Sequence, residues 1–386
     1  MPSQVNGGDG VEPPPPIEPV LHEEHPESAG NSVDEDAGHH QLRDSRGWDG
    51  KLRINRSALI ENPEALSDPE YSDENNVLPG EEINADEDLL DDQESDTESI
   101  SLPQSRIASI PSLHLERFHQ VKQLCLRQNV VQNIEGVSAV ASTLEELDLY
   151  DNLISHIRGL DDLTQLTWLD LSFNKIKHIK HIAHLTKLTD LFLISNKISR
   201  IEGLDTLVNL RQLELGSNRI REIQNLDALK NLEDLWLAKN KITELHGLGG
   251  LPKLKILSVQ SNRITDLSPL REVPHLQELY ISHNAIESLE GLEHNTNLTM
   301  LDISNNKIKS LKGVGGMKDL NEVWAGYNEI SSFTDIEREL ANKQHLKEVY
   351  FEGNPLQRNQ PALYRNKVRL ALPQIEKLDA SIIRPT

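Results

Sequence analysis

The sequence predicts an α/β solenoid: an arc with one short strand per turn, a parallel β-sheet on its concave side, an irregular or 3₁₀ convex side, and a cap at the C-terminal end. Three observations predict it. Asparagine recurs at positions 129, 152, 174, 196, 218, 240, 262, 284, 306, 328 and 354, and the eight intervals from Asn152 to Asn328 are each 22 residues. An alternating apolar pattern stands before each asparagine, as in Leu144-x-x-Leu147-x-Leu149. A second apolar set follows each one, as in Ile154, Ile157, Leu160 and Leu163.

The chain begins with an acidic tail. Residues 1–100 hold 27 Asp and Glu against 5 Lys and Arg, whereas the remaining residues are nearly balanced within a net charge of -23. Pro13 to Pro16, few aromatics and many acidic residues leave too little apolar surface to offset the entropy of ordering. Residues 1–101 are therefore expected to be a disordered, solvated spacer. Next, Ile110, Leu113, Leu115 and Phe118 are expected to cap the first repeat.

Residues 102–355 then carry about eleven repeats. Leu-x-Leu alternation makes a short strand with one face inward. Each asparagine stands where the chain leaves the strand. A buried turn strands backbone N–H and C=O groups, and an amide side chain can both donate to and accept from them. A fixed period of 20–29 residues with L-x-x-L-x-L-x-x-N is the leucine-rich-repeat signature. The last full interval is 26 residues and contains a helical pattern over 333–340. Residues 356–386, with Tyr364, Val368, Leu370, Leu372, Ile375 and Leu378, are expected to form a C-terminal cap, because an uncapped solenoid exposes its core.

The concave face carries the functional information. Its outward positions lie six, four and two residues before each asparagine. Of these 33 positions eleven are acidic, seven are Tyr, Trp or Phe, and one, Arg127, is basic. The body is charge-balanced, so this is sorting rather than composition. Aromatics interleaved with carboxylates point to a protein-binding surface, with the aromatics as anchors and the carboxylates selecting a basic partner.

Other chemistries are weakly represented. A strongly acidic chain is a poor ligand for nucleic-acid phosphates. No apolar run approaches the ~20 residues of a membrane span, and the first residues lack the features of a signal peptide. The lone Cys125 cannot form an internal disulfide and fits a reducing compartment. His178, His181 and His184 fall among lysines, without a carboxylate or thiol at ligand spacing, and are expected to be solvent-exposed. Gly247-Leu248-Gly249-Gly250 lacks the Lys-Ser/Thr of a phosphate loop. No nucleophile, acid–base pair or cofactor fingerprint is visible. The expectation is a non-enzyme with no cofactor and no metal.

The uninterrupted 22-residue repeat, the acidic N-terminal extension and the C-terminal cap together resemble the leucine-rich-repeat regulatory subunits of type-1 serine/threonine protein phosphatase, the regulatory subunit 7 group. The resemblance spans about residues 102–386. It implies that the concave face grips the phosphatase catalytic subunit through a diagonal of acidic and aromatic residues. Matched onto this sequence, that set is Asp170, Phe192, Glu214, Trp236, Asp302, Glu322, Trp324 and Tyr350, with Asp148, Tyr150, Trp168, Glu278 and Tyr280 as secondary candidates. It further implies control of phosphatase biogenesis, targeting and mitotic activity, a nuclear and cytoplasmic location, and a ternary complex with a further inhibitor subunit. Two other readings stay open at this point. One is an acidic nuclear leucine-rich-repeat histone-binding protein, although the acidic tail here is N-terminal. The other is a structural adaptor of a ribonucleoprotein or cytoskeletal complex.

Overall fold

The computed structural model describes residues 89–383. The acidic segment 1–88, on which the expected disorder chiefly falls, lies outside them. The described residues form one 14-stranded sheet whose spatial order is the order of the sequence. Its strands are β1 (Ser99–Ser101), β2 (Gln123–Cys125), β3 (Glu146–Asp148), β4 (Trp168–Asp170), β5 (Asp190–Phe192), β6 (Gln212–Glu214) and β7 (Asp234–Trp236). They continue as β8 (Ile256–Ser258), β9 (Glu278–Tyr280), β10 (Met300–Asp302), β11 (Glu322–Trp324), β12 (Glu348–Tyr350), β13 (Lys377–Leu378) and β14 (Ser381–Ile382). Pairing is parallel from β1 to β13 and antiparallel for β13–β14.

Each strand contributes one central apolar side chain to the core, and the register stacks these chains: Leu147 opposite Leu169, Leu169 opposite Leu191, Leu191 opposite Leu213. All four are completely buried, as are the second-set residues such as Ile176, Ile198 and Ile220. No turn could bury these residues alone, so each repeat depends on its neighbours.

The asparagines form the expected ladder. Asn174 Nδ2 donates to Leu171 O of its own turn at 3.1 Å and to Leu149 O of the preceding turn at 3.0 Å. Its Oδ1 accepts the Ile154 N–H at 2.9 Å. The same three bonds recur from Asn152 (Val131 N–H, Leu126 O, Leu149 O) through Asn354 (Ile330 N–H, Ala325 O, Phe351 O). The residue before each asparagine bends the chain: Asp151, Phe173, Ser195, Ser217 and Lys239 all have φ between 53° and 56°. That left-handed conformation is unfavourable for most side chains, and the asparagine bonds hold it in place.

Between strands the chain is irregular, with 3₁₀ turns at Pro111–Leu113, Leu115–Arg117, Val137–Val140 and Ser268–Glu272. In the last interval, helix α1 (Phe333–Leu340) replaces the outer turn, and the Ser332 hydroxyl caps it by accepting the Asp335 N–H at 3.1 Å. Helices α2 (Pro355–Arg358) and α3 (Pro361–Ala371) follow.

Three expectations change. Order begins before residue 102: Leu90 and Ile100 are 2% exposed, and β1 pairs with β2. Residues 97–118 thus belong to a further turn, in which Ser105 stands where the other turns have asparagine, and Ile110, Leu113, Leu115 and Phe118 are buried within it. At the other end, Leu370 is 82% exposed because it faces away from the contacts that bury Tyr364, Val368 and Leu372. The C-terminal cap combines α2 and α3 with β13 and β14, which extend the sheet beyond β12.

Candidate partner-binding face

The face opposite the core is organised by register. Strand residues four before each asparagine line up across successive strands as Asp148, Asp170, Phe192, Glu214, Trp236, Ser258, Tyr280, Asp302, Trp324 and Tyr350. Seven of the eight primary candidates therefore share one register row, whereas a diagonal was expected. Glu322 stands in the adjacent row with Trp168 and Glu278, and Tyr150 lies two residues beyond Asp148. Parallel pairing keeps equivalent positions of successive turns opposite one another, and it does so even across the 26-residue interval, where Tyr350 still stands opposite Trp324.

Burial divides this set. Phe192, Glu214, Trp236, Glu322, Trp324 and Tyr350 are half-buried, with a surface open to a partner, as are Asp148, Tyr150, Trp168, Glu278 and Tyr280. Asp170 and Asp302 are buried, at 7% and 3% exposure. Asp170 Oδ1 accepts the Ser172 N–H at 2.8 Å, and Asp302 Oδ1 accepts the Ser304 N–H at 3.0 Å. Asp302 Oδ2 also accepts Gln260 Nε2 at 2.9 Å. These two carboxylates thus secure the strand ends as well as lending charge to the face.

The face is short of cations. Burial pushes the carboxyl groups of Asp148, Asp170, Glu214 and Asp234 above their ordinary values, against hydrogen bonds that pull the first three back down. Asp148 is also raised by Asp170, and Glu214 by Asp170 and Asp234. Such groups gain from any positive charge brought close to them.

The aromatics meet in pairs. Trp168 and Phe192 are 5.2 Å apart between ring centroids, Trp236 and Tyr280 5.9 Å, and Trp324 and Tyr350 5.7 Å. Between Trp236 and Tyr280 runs β8, whose outward residues Ile256, Ser258 and Gln260 are uncharged, so the face has a neutral band near its middle. The indole N–H groups of Trp236 and Trp324 have no hydrogen-bond partner among the described residues.

Both ends of the face carry cations that the candidate set leaves out. Arg127 places its guanidinium carbon 4.3 Å from the centre of the Tyr150 ring and its Nε 3.4 Å from Asp148 Oδ2. Lys377 Nζ donates to Glu348 Oε1 at 2.7 Å and lies 5.6 Å from the Tyr350 ring centre. Lys377 has no repeat signal because β13 follows a helix rather than an asparagine turn. Two further aromatics, Phe173 and Tyr327, are 43% and 56% exposed at the left-handed turn positions. Their position directly before an asparagine was the available signal.

Other chemistry finds little footing. His178 and His181 are exposed as expected, but His184 is half-buried, with Nε2 2.8 Å from Leu160 O. Among the described residues no three His, Cys, Asp or Glu side chains are grouped as a metal site requires, and no helix is long and apolar enough to cross a membrane.

Comparison with known proteins agrees with this architecture. The family profile described as "Leucine Rich repeats (2 copies)" matches in overlapping pairs from 208–250 to 296–342, and "Leucine rich repeat" matches 119–176. The chain is 54% identical over 86 residues to "Protein phosphatase 1 regulatory subunit SDS22" of Schizosaccharomyces pombe, covering 22% of this chain and 25% of that protein. It is 47% identical over 96 residues to the protein of the same description from Saccharomyces cerevisiae, covering 24% and 28%. The matched stretches thus span about a quarter of the length of these relatives. Among solved structures, an internalin (inlF) from Listeria monocytogenes superposes with a TM-score of 0.60 at 21% identity, covering 74% of this chain and 87% of the internalin, and shares the fold. With its asparagine ladder, its parallel register and these matches, the chain belongs to the leucine-rich-repeat family, and within that family it is similar to the regulatory subunits of protein phosphatase 1.

Proposed function

We propose that this chain is a non-catalytic regulatory subunit that binds the catalytic subunit of type-1 serine/threonine protein phosphatase across its acidic–aromatic sheet face. The observation that carries this reading is the single row running from Asp170 through Phe192, Glu214 and Trp236, past Ser258, to Tyr280, Asp302, Trp324 and Tyr350, in which aromatic anchors are interspersed with carboxylates. The likeness to phosphatase regulatory subunits over the matched stretches supports it.

The physical logic is that of a template. Half-buried aromatic rings supply apolar area to a partner without needing to be ordered first. The surrounding carboxylates select a basic surface and speed its approach. A sheet whose every turn is hydrogen-bonded to the next presents these groups at fixed spacing, roughly 4.8 Å per strand. Such a surface would hold one conformation of the bound phosphatase, with all chemistry remaining on the partner. The proposal extends to control of phosphatase biogenesis, targeting and mitotic activity, in nucleus and cytoplasm, and to a ternary complex with a further inhibitor subunit.

Titration calorimetry of the full chain against purified type-1 catalytic subunit, with core histones as a parallel arm, tests the reading. Stoichiometric binding to the phosphatase supports it. Binding to histones alone favours the histone-binding reading, and binding to neither overturns both.

A further inference from the structure

Three carboxylate–tyrosine pairs stand two residues apart on the sheet face: Asp148 with Tyr150, Glu278 with Tyr280, and Glu348 with Tyr350. Residues two apart on a strand point to the same side, so each pair places a negative charge beside an aromatic ring. Two of the pairs hold a cation from this chain. Arg127 lies over Tyr150 and beside Asp148 Oδ2, at 4.3 and 3.4 Å. Lys377 lies over Tyr350 and donates to Glu348 Oε1, at 5.6 and 2.7 Å. Carboxylate and ring face together suit an ammonium or guanidinium group, by ion pairing and by the attraction of a cation to the ring quadrupole.

The middle pair repeats the hydroxyl–carboxylate bond of the C-terminal one. The Tyr350 hydroxyl donates to Glu348 Oε1 at 2.6 Å, and the Tyr280 hydroxyl donates to Glu278 Oε2 at 2.8 Å. Each tyrosine also meets a tryptophan, Tyr350 edge-on to Trp324 of the adjacent strand at 5.7 Å and Tyr280 stacked on Trp236 two strands away at 5.9 Å. The difference lies on the next strand. Lys377 stands in register with Glu348, and Met300 stands in register with Glu278. Among the described residues no lysine or arginine pairs with Glu278. Instead Glu322 flanks Met300 from the other side and adds negative charge. Burial first, and then Glu278, push the Tyr280 hydroxyl above its ordinary range, so it stays protonated and keeps the carboxylate oriented.

We propose that Glu278 and Tyr280 form the seat for a lysine or arginine side chain of the bound protein, which takes the place that Lys377 takes beside Glu348 and Tyr350. The seat borders the neutral β8 band, so the partner's cation projects next to apolar contacts on Trp236 and Ile256. This inference rests on the proposed binding of the type-1 catalytic subunit and assigns that partner a specific basic contact near the middle of the face.

The test is the affinity and salt dependence of the full chain for purified type-1 catalytic subunit. Glu278→Gln keeps the shape and removes the charge. It is expected to weaken binding about tenfold and to flatten the salt dependence, with an unchanged melting curve. Met300→Lys supplies an internal cation in the register position of Lys377 and is expected to weaken binding to a similar extent. Its effect should vanish in the Glu278→Gln background, because both changes act on one seat. Wild-type affinity for Glu278→Gln overturns the seat, and so does full additivity of the two changes. Failure of the wild-type chain to bind the phosphatase is a different result: it removes the functional reading, and the seat with it.

Discussion

Trp236 and Tyr280 stack at 5.9 Å and an interplanar angle of 25° although they stand two strands apart, and Ser258 on the strand between them is completely covered. A small residue on β8 lets the two rings close above it. The pair makes a rigid apolar patch on the sheet face, one strand away from the carboxylate of Glu214 on one side and Asp302 on the other. Widening position 258 would part the rings.

The aromatic anchors are expected to dominate binding energy. Trp324→Ala should weaken association with the type-1 catalytic subunit by about 2 kcal/mol or more while the fold persists. Glu322→Lys should also weaken it, by setting like charge against a basic partner. Lys241→Ala, beyond the asparagine turn, should have little effect. Calorimetry beside circular dichroism reads all three. Unchanged affinity in both face variants would remove the sheet face as the site, and a loss confined to Lys241→Ala would move it to the flank.

The core should respond as a close-packed interior does. Leu213 is fully buried between Leu191 and Leu235. Leu213→Ala should therefore cost about 2–5 kcal/mol in a denaturant melt, and a null effect would contradict the register.

The asparagine ladder should matter as much as the leucines. Asn218 donates to Leu193 O at 2.8 Å and Leu215 O at 3.1 Å and accepts from the Ile198 N–H at 3.0 Å. Asn218→Ala leaves three buried backbone groups without those partners, at about 1–3 kcal/mol for each group that stays unsatisfied. The expected signature is a lower melting temperature together with faster amide exchange at Ile198.

Asp170 should make stability depend on pH. Burial raises its carboxyl in the folded chain above the ordinary value. An acid raised on folding binds more protons in the folded state than in the unfolded one, so its contribution to stability is fully present below the unfolded value, near 3.9, and is lost as pH rises through the folded one. Asp170→Asn keeps an oxygen for the Ser172 N–H without the charge. It should raise the melting temperature at pH 7, and that gain should shrink toward pH 3. A gain independent of pH would point to packing instead.

Truncation should locate the true N-terminal edge. A chain starting at residue 89 should melt like the full chain. A chain starting at residue 102 loses the buried Leu90 and Ile100 and uncovers β2, with each buried side chain contributing about 1.5–3 kcal/mol. Equal melting of the two truncations would show that β1 adds nothing. The chain from 89 should also retain affinity for the phosphatase, measured by the same titration.

The repeat, its parallel sheet, its leucine core and the role of its asparagines were legible in the residues, because each depends on local chemistry recurring every 22 positions. Phe333 to Leu340 was legible as a helix for a different local reason, the helical spacing of Phe333, Ile336 and Leu340. The first turn was harder to see. Thr97, Ile100, Leu102, Ser105, Ile107 and Ile110 follow the repeat spacing, but serine stands in the asparagine position and weakens the signal. Leu370 looked like a core residue in a helical pattern, and only the direction of α3 exposes it.

The chain's own period determined which residues share the sheet face, since alternation along a strand sends every second side chain outward. It also determined that this face would be acidic and aromatic. Tertiary structure alone decided how those side chains meet. Equal repeats in parallel register turn the candidates into a row, put Asp170 and Asp302 under cover, and bring Trp236 across Ser258 to Tyr280. Stacking also sets Met300 beside Glu278 and, through the cap strand β13, Lys377 beside Glu348. The physical reason is distance along the chain: side chains that meet across strands on this face are 21 to 44 residues apart in sequence, and only the stacking of whole turns fixes their separation.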